Sequence, residues 1–240
     1  MGLISTHAKA EDLCYKTSFE RSDFSPGKLN TQDGWQNPQK TASISPVYPQ
    51  SGKQSIRVFG NKLNEISPEL VGTRFGRLFL YDATNKTIEL SIDAMLDGPS
   101  TDSNSSANPN DDLISANLTL LLVDELNQPI SIGTLLLSSN SNVWIIDSSG
   151  DYVAAIPINL NGYHRLSARI DFSSRKVQFF VDNEQVKTLS IPDSITSNIF
   201  AMGALEMFAV NDKKTLNRNH YDAYFDNFCV STDSCEIQCL

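Results

Sequence analysis

A chain of 240 residues with net charge −9 and pI near 4.8 suits one large all-β domain and repels polyphosphates, which sets nucleic acid aside as a partner. Forty per cent hydrophobic residues suffices for a sizeable core. The longest apolar run, 118–123, is interrupted by Thr119 and is strand-sized, far short of the roughly 18–20 apolar residues of a membrane span.

In chain order, residues 1–10 read as a leader or the remnant of an export signal. They end in Ala8-Lys9-Ala10, a small-x-small pattern, although what precedes is too short and too polar for an apolar signal core. Residues 11–240 read as one domain. Leu13, Tyr15, Thr17 and Phe19 alternate with polar neighbours and predict a strand over 13–20. The stretch 21–40, broken by Pro26, Gly27, Gly34 and Pro38, predicts a loop anchored by Trp35. Strands follow at 41–47, 54–59, 75–81 and 87–96. The segment 97–112 has almost no apolar content; it carries Asp97, Asp102, Asp111 and Asp112 but lacks the D-x-D-x-D-G spacing of a calcium loop, and reads as a flexible insertion. Further strands are predicted at 113–124, 130–138, 142–147 and 152–158, then 200–210 and 220–230, with a polar loop at 211–219 holding Lys213, Lys214 and Arg218.

The clearest pattern lies at 162–189. Leu166, Ala168 and Ile170, then Val177, Phe179 and Val181, alternate with polar or exposed positions. Ser173, Ser174 and Arg175 make one hairpin break and Asp182-Asn183 a second. About twelve to fourteen short strands with polar turns and no helical period predict a two-sheet sandwich. The four cysteines, Cys14, Cys229, Cys235 and Cys239, are confined to the chain ends and predict disulfides in an oxidising compartment. Zinc is the poorer reading, because three clustered thiols lack a nearby histidine.

Tyr163-His164 opening a strand, followed by D-F-S-x-x-K-V-x-F-F-V-D-N at 171–183, resembles the concanavalin A-like lectin/glucanase superfamily, in particular its laminin G-like jelly rolls. The opening F-E … D-G-W … S-G-K-Q-S-I-R-V is similar to that of many bacterial extracellular jelly rolls. The resemblance implies an all-β, two-sheet antiparallel jelly-roll sandwich. It also implies a structural calcium ion shared by Glu20, after Phe19, and Asp226, in Tyr224-Phe225-Asp226-Asn227, with carbonyls near Asn61 or Asn227 completing the shell. If Glu20 faces Asp226 in an antiparallel pair, paired residue numbers sum to about 246. Cys14 then lies opposite position 232, which allows a disulfide to Cys229 or Cys235; a Cys235–Cys239 bridge stays open despite the short separation.

Catalytic patterns are sparse. Laminarinase-like members of the superfamily carry E-x-D-x-x-E, and the nearest text, 89–95, offers Glu89 and Asp93 but no second Glu. The features of alginate-lyase-like members do not stand in order. Of the three histidines, His7 lies in the leader, His164 occupies a structural position, and His220 lacks a nucleophile partner. For sugar binding, Trp144 with Asp147 and Tyr152 across the 148–150 turn is the first candidate, with Trp35, Tyr48 and Tyr81 behind it; the alternation of Trp144 with Ile146 suits a core position equally. Asn-x-Ser/Thr sequons stand at Asn85, Asn104 and Asn117, and Asn104 in the polar segment is the one open to glycosylation in a host that performs it. The expectation is a non-catalytic, secreted or periplasmic, lectin-like carbohydrate-binding module that is calcium-stabilised and takes a glycan or surface polysaccharide as partner. The alternatives are a structural or adhesion protein that binds other proteins, and a divergent polysaccharide hydrolase or lyase.

Overall fold

Period-two alternation becomes strands along nearly the whole chain. The computed structural model describes residues 13–38, 40–59, 72–98, 114–160, 162–209, 222–233, 235 and 239. Among them run β1 (Cys14–Thr17), β2 (Gly27–Lys28), β3 (Trp35–Gln36), β4 (Ala42–Ser45), β5 (Ser55–Phe59), β6 (Gly72–Arg77), β7 (Tyr81–Asp82), β8 (Thr87–Asp97), β9 (Ile114–Val123), β10 (Pro129–Ser138), β11 (Asn142–Ile146), β12 (Tyr152–Pro157), β13 (His164–Asp171), β14 (Lys176–Val181), β15 (Glu184–Ser190), β16 (Ile199–Ala209) and β17 (Asp222–Thr232). The predicted leader, most of the 97–112 insertion, the 211–219 loop, and with them His7, Asn61, Asn104 and His220, fall outside the described residues.

The strands form two antiparallel sheets. One has nine strands in the order β15-β14-β13-β8-β17-β5-β4-β2, with β1 also beside β17. The other has eight, β12-β11-β10-β9-β16-β6-β3, with β7 on β16. Each sheet turns alternate residues inward, so Leu90 and Ile92 of β8, Leu118 and Leu120 of β9, and Phe225 and Phe228 of β17 share one core. Gly203 marks a close approach of the two sheets: a Cβ there would lie 2.7 Å from Leu90 Cδ2.

The predicted meander is present as β13, β14 and β15. Leu166 pairs with Val181 and Ile170 with Val177. The second turn uses left-handed Asp182 (φ 51°) and Asn183 (φ 69°), the conformation short polar side chains tolerate. The loop 21–40 contains the short β2 and β3 and a 3-10 turn at Gln32–Gly34, and Trp35 anchors it with no exposed surface. The indole packs edge-on against Phe19 and Phe228.

Two expectations are corrected. The first strand stops at Thr17, because Phe19 turns left-handed (φ 56°) and its amide is capped by Thr17 Oγ1 at 3.0 Å. Cys14 faces Ser231, not position 232, so the register is one residue off the predicted one. The disulfides are Cys14–Cys235, one of the two pairings left open for Cys14, and Cys229–Cys239, which excludes Cys235–Cys239.

Candidate functional site

The two predicted metal ligands bracket one turn. Glu20 Oε1 accepts the amides of Lys53 (2.8 Å) and Gln54 (3.2 Å). Asp226 Oδ2 accepts those of Gln50 (3.0 Å) and Ser51 (2.9 Å), and its Oδ1 accepts that of Asn227 (2.8 Å). Gly52 sits between them with φ 63°, and a Cβ there would come within 2.1 Å of Glu20 Oε1. Asp226 is fully buried and pairs directly with Asp93 of β8. Asp93 is held by Arg165 Nε (2.9 Å) and Asn227 Nδ2 (2.7 Å). Burial foremost pushes the Asp226 carboxyl up to about 6; the amides of Ser51, Asn227 and Gln50 oppose this, and the neighbouring Asp93 adds to it.

A calcium ion takes roughly 6–8 oxygen ligands. What this turn directs at both carboxylates is N–H hydrogen, and Asn227 spends its own amide oxygen on Ser51 Oγ (2.7 Å). Among the described residues no group of three or more His, Cys, Asp or Glu side chains gathers as a metal site needs. The residues present do not fit a calcium ion shared between Glu20 and Asp226; they fit a clasp that fastens the 50–54 turn to both chain ends. His164 is likewise pinned, with Nδ1 2.7 Å from Asp182 Oδ2 and Nε2 2.5 Å from the Asn159 carbonyl.

A second arrangement lies on the face of the eight-stranded sheet turned away from the core. Register aligns Arg74, Glu206, Asn117, Leu136, Trp144 and Ala155 in one row across β6, β16, β9, β10, β11 and β12. Beside it, Ser115 pairs with Ser138 and Thr119 with Thr134. Glu206 Oε1 takes Arg74 Nε, and Glu206 Oε2 accepts Thr119 Oγ1 at 3.0 Å, which in turn contacts Thr134 Oγ1 at 3.0 Å. Apart from Asp82 in β7, Glu206 is the only carboxylate in the strands of this sheet.

The row contains unmet polar chemistry. Among the described residues five buried side-chain polar atoms have no hydrogen-bond partner, and three of them, Asn117 Oδ1, Ser138 Oγ and Asn140 Nδ2, belong to this face and the turn at its end. Leaving such an atom unpaired costs about 1–3 kcal/mol, so three together ask for an explanation. Asn140 is held in place by Trp144 Nε1, which donates to its Oδ1 at 3.4 Å.

Of the predicted sugar ligands, the structure joins two. Trp144 and Tyr152 meet edge-on at 5.7 Å between ring centroids. Trp144 is only 6% exposed, yet it packs on this outward face and not between the sheets. Asp147 does not join them: its Oδ1 accepts the amides of Ser149 (2.8 Å) and Asp151 (3.0 Å) and closes its own turn. Trp35 and Tyr81 lie in the core, whereas Tyr48 is exposed beside Tyr224.

No protein-family model matches the chain, and no curated protein matches it. Solved structures do. An endo-1,3-beta-glucanase from Streptomyces sioyaensis superposes with TM-score 0.57 at 11% identity, over 92% of this chain and 96% of that one. Arcelin-5, a lectin-like defense protein from Phaseolus vulgaris, gives 0.55 at 8%, over 92% and 98%. The carbohydrate recognition domain of Emp47p gives 0.52 at 12%, over 88% and 95%. The fold is a concanavalin A-like jelly roll.

In this jelly roll the residues that reasoning from sequence missed are Asn117, Ser138, Asn140, Arg74 and Glu206. A signal was present in β9, where Ser115, Asn117 and Thr119 put three polar residues on the outward side of a strand whose next outward residue is Leu121. Asn117 entered the sequence reading only as a sequon.

Proposed function

We propose that this jelly roll is a non-catalytic, lectin-like carbohydrate-binding module whose ligand lies on the outward face of the eight-stranded sheet, across Asn117, Ser138 and Asn140. The observation that carries this is the trio of buried polar atoms without partners. Asn117 Oδ1 requires a donor, Asn140 Nδ2 requires an acceptor, and Ser138 Oγ takes either. Adjacent sugar hydroxyls supply both; an apolar ligand, or one with acceptors alone, leaves at least one atom unpaired. The names of the neighbours, one a carbohydrate recognition domain and one lectin-like, support the same reading.

The lone, paired Glu206 supports binding without hydrolysis, because glycosidases generally work with two carboxylates flanking the bond. Two disulfides support a secreted or periplasmic location, since such bonds persist in oxidising compartments.

The experiment is a glycan array followed by calorimetry on the wild-type protein and Ser138→Ala. The wild type is expected to bind neutral glycans without cleaving them. Ser138→Ala is expected to weaken binding about ten-fold while the melting temperature holds or rises by about 2–4 °C, because the deleted hydroxyl lacks a partner in the free protein. A wild type that binds no glycan, or an alanine variant that loses stability without losing affinity, overturns the proposal.

A further inference from the structure

A cavity of about 200 Å³ opens at the far side of the same face, lined by Gln36, Pro38, Arg74, Phe75, Gly76 and Met202. Register makes it continuous with the polar row: Arg74 pairs with Glu206 and Gln36 with Gly76. It is smaller than the roughly 300 Å³ at which drug-sized pockets begin, so it holds one ring and not a chain.

Its wall is apolar and deformable. Gly76 lets the Met202 side chain lie against the backbone, since a Cβ there would be 2.5 Å from Met202 Sδ. A thioether on a flexible stem moulds itself to small apolar groups. Pro38 adds a second apolar surface and is exposed to an incoming ligand. The polar groups at the rim are the exposed Gln36 and Arg74, whose Nε is committed to Glu206. That ion pair cancels the one cationic charge lining the cavity, so nothing there selects an acidic sugar.

Building on the carbohydrate reading above, we infer that this cavity seats a single sugar ring bearing a methyl-terminated substituent, either a 6-deoxy or an N-acetyl group. The methyl packs on Met202 and Pro38, and the polar edge of the ring meets Arg74 and Gln36. The remainder of the glycan continues along the row toward Asn117.

The test is calorimetry with matched oligosaccharides that differ only in one terminal ring: 6-deoxy against 6-hydroxy, and 2-acetamido against 2-hydroxy. The methyl-bearing member of at least one pair is expected to bind about ten-fold tighter, the discrimination one buried methyl group supplies. The two pairs tell the 6-deoxy source from the N-acetyl source. Gly76→Ala, which places a Cβ in the space of Met202, and Met202→Gln are each expected to bring the affinity for the methyl-bearing member down to that for its plain counterpart, with folding checked by thermal melting. Equal affinities within both pairs, or a preference that survives in both variants, overturn the inference while the carbohydrate reading stands. Absence of binding by every glycan overturns both.

Discussion

Asp226 carries opposing demands. Four polar residues, Gln50, Ser51, Asn227 and Asp93, surround a carboxyl that is fully buried. Its carboxyl stands near 6 instead of 3.8, because burial penalises the charge more than three amides reward it. The raised value fixes the direction of the pH effect. Below the unfolded value the group is protonated in both states and costs nothing; between about 4 and 6 the unfolded chain gives up the proton while the folded protein keeps it, and above 6 the folded protein holds the buried charge and the cost is complete at about 3 kcal/mol. Urea unfolding is therefore expected to show this part of the stability falling as pH rises from 4 to 7, and Asp226→Asn is expected to flatten that slope. A slope unchanged in the variant would assign it elsewhere. Asp171 acts in the opposite sense: hydroxyls of Ser173 and then Ser174 hold its carboxyl well below the usual range, so its contribution is present above about 4 and is lost in acid. At this scale the sequence was only partly legible. Asp171, Asp182 and Trp35 announce their roles through turn chemistry and isolation, whereas Asn117 and Ser138 look like ordinary strand residues until register places them side by side.

Elements were read more successfully than residues, and the reason is periodicity. β8, β9, β13, β14 and β17 each turn one face to the core between the sheets, so apolar residues recur at every second position and mark the strand. β2, β3 and β7 have two residues each, too few for any period, and they went unseen. The terminal register differs by one residue: β1 pairs Cys14 with Ser231 and ends at Thr17, ahead of the left-handed Phe19. Lys53 and Gln54 hang from Glu20, and Gln50 and Ser51 hang from Asp226, so the 50–54 turn is fastened from both sides by protein alone. Thermal melting with excess calcium and with a chelator is expected to give the same midpoint within about a degree. A midpoint raised by calcium would return the ion to Glu20 and Asp226.

For the whole molecule, the two disulfides differ in what they close. Cys14–Cys235 spans 221 residues of sequence and Cys229–Cys239 only 10. If cross-links act chiefly on the unfolded chain, the long closure contributes about 5–6 kcal/mol and the short one about half of that. Denaturant unfolding of the Cys14→Ser/Cys235→Ser double variant is expected to show the larger loss, and the reverse order would mean that local strain and packing outweigh loop closure. The sandwich itself was legible because alternating strands and polar turns run the length of the chain; which face would bind was not, because that depends on the order of strands in space. That order has a consequence for biogenesis. β16 lies between β9 and β6, and β17 between β8 and β5, so the two strands that come last in sequence among the described residues are interior members of the two sheets. Until residues 199–232 join, β9, β6, β8 and β5 each have an open edge and neither sheet is complete. Both sheets therefore close only when β16 and β17 insert, and until then those edges are open to pairing with a neighbour's.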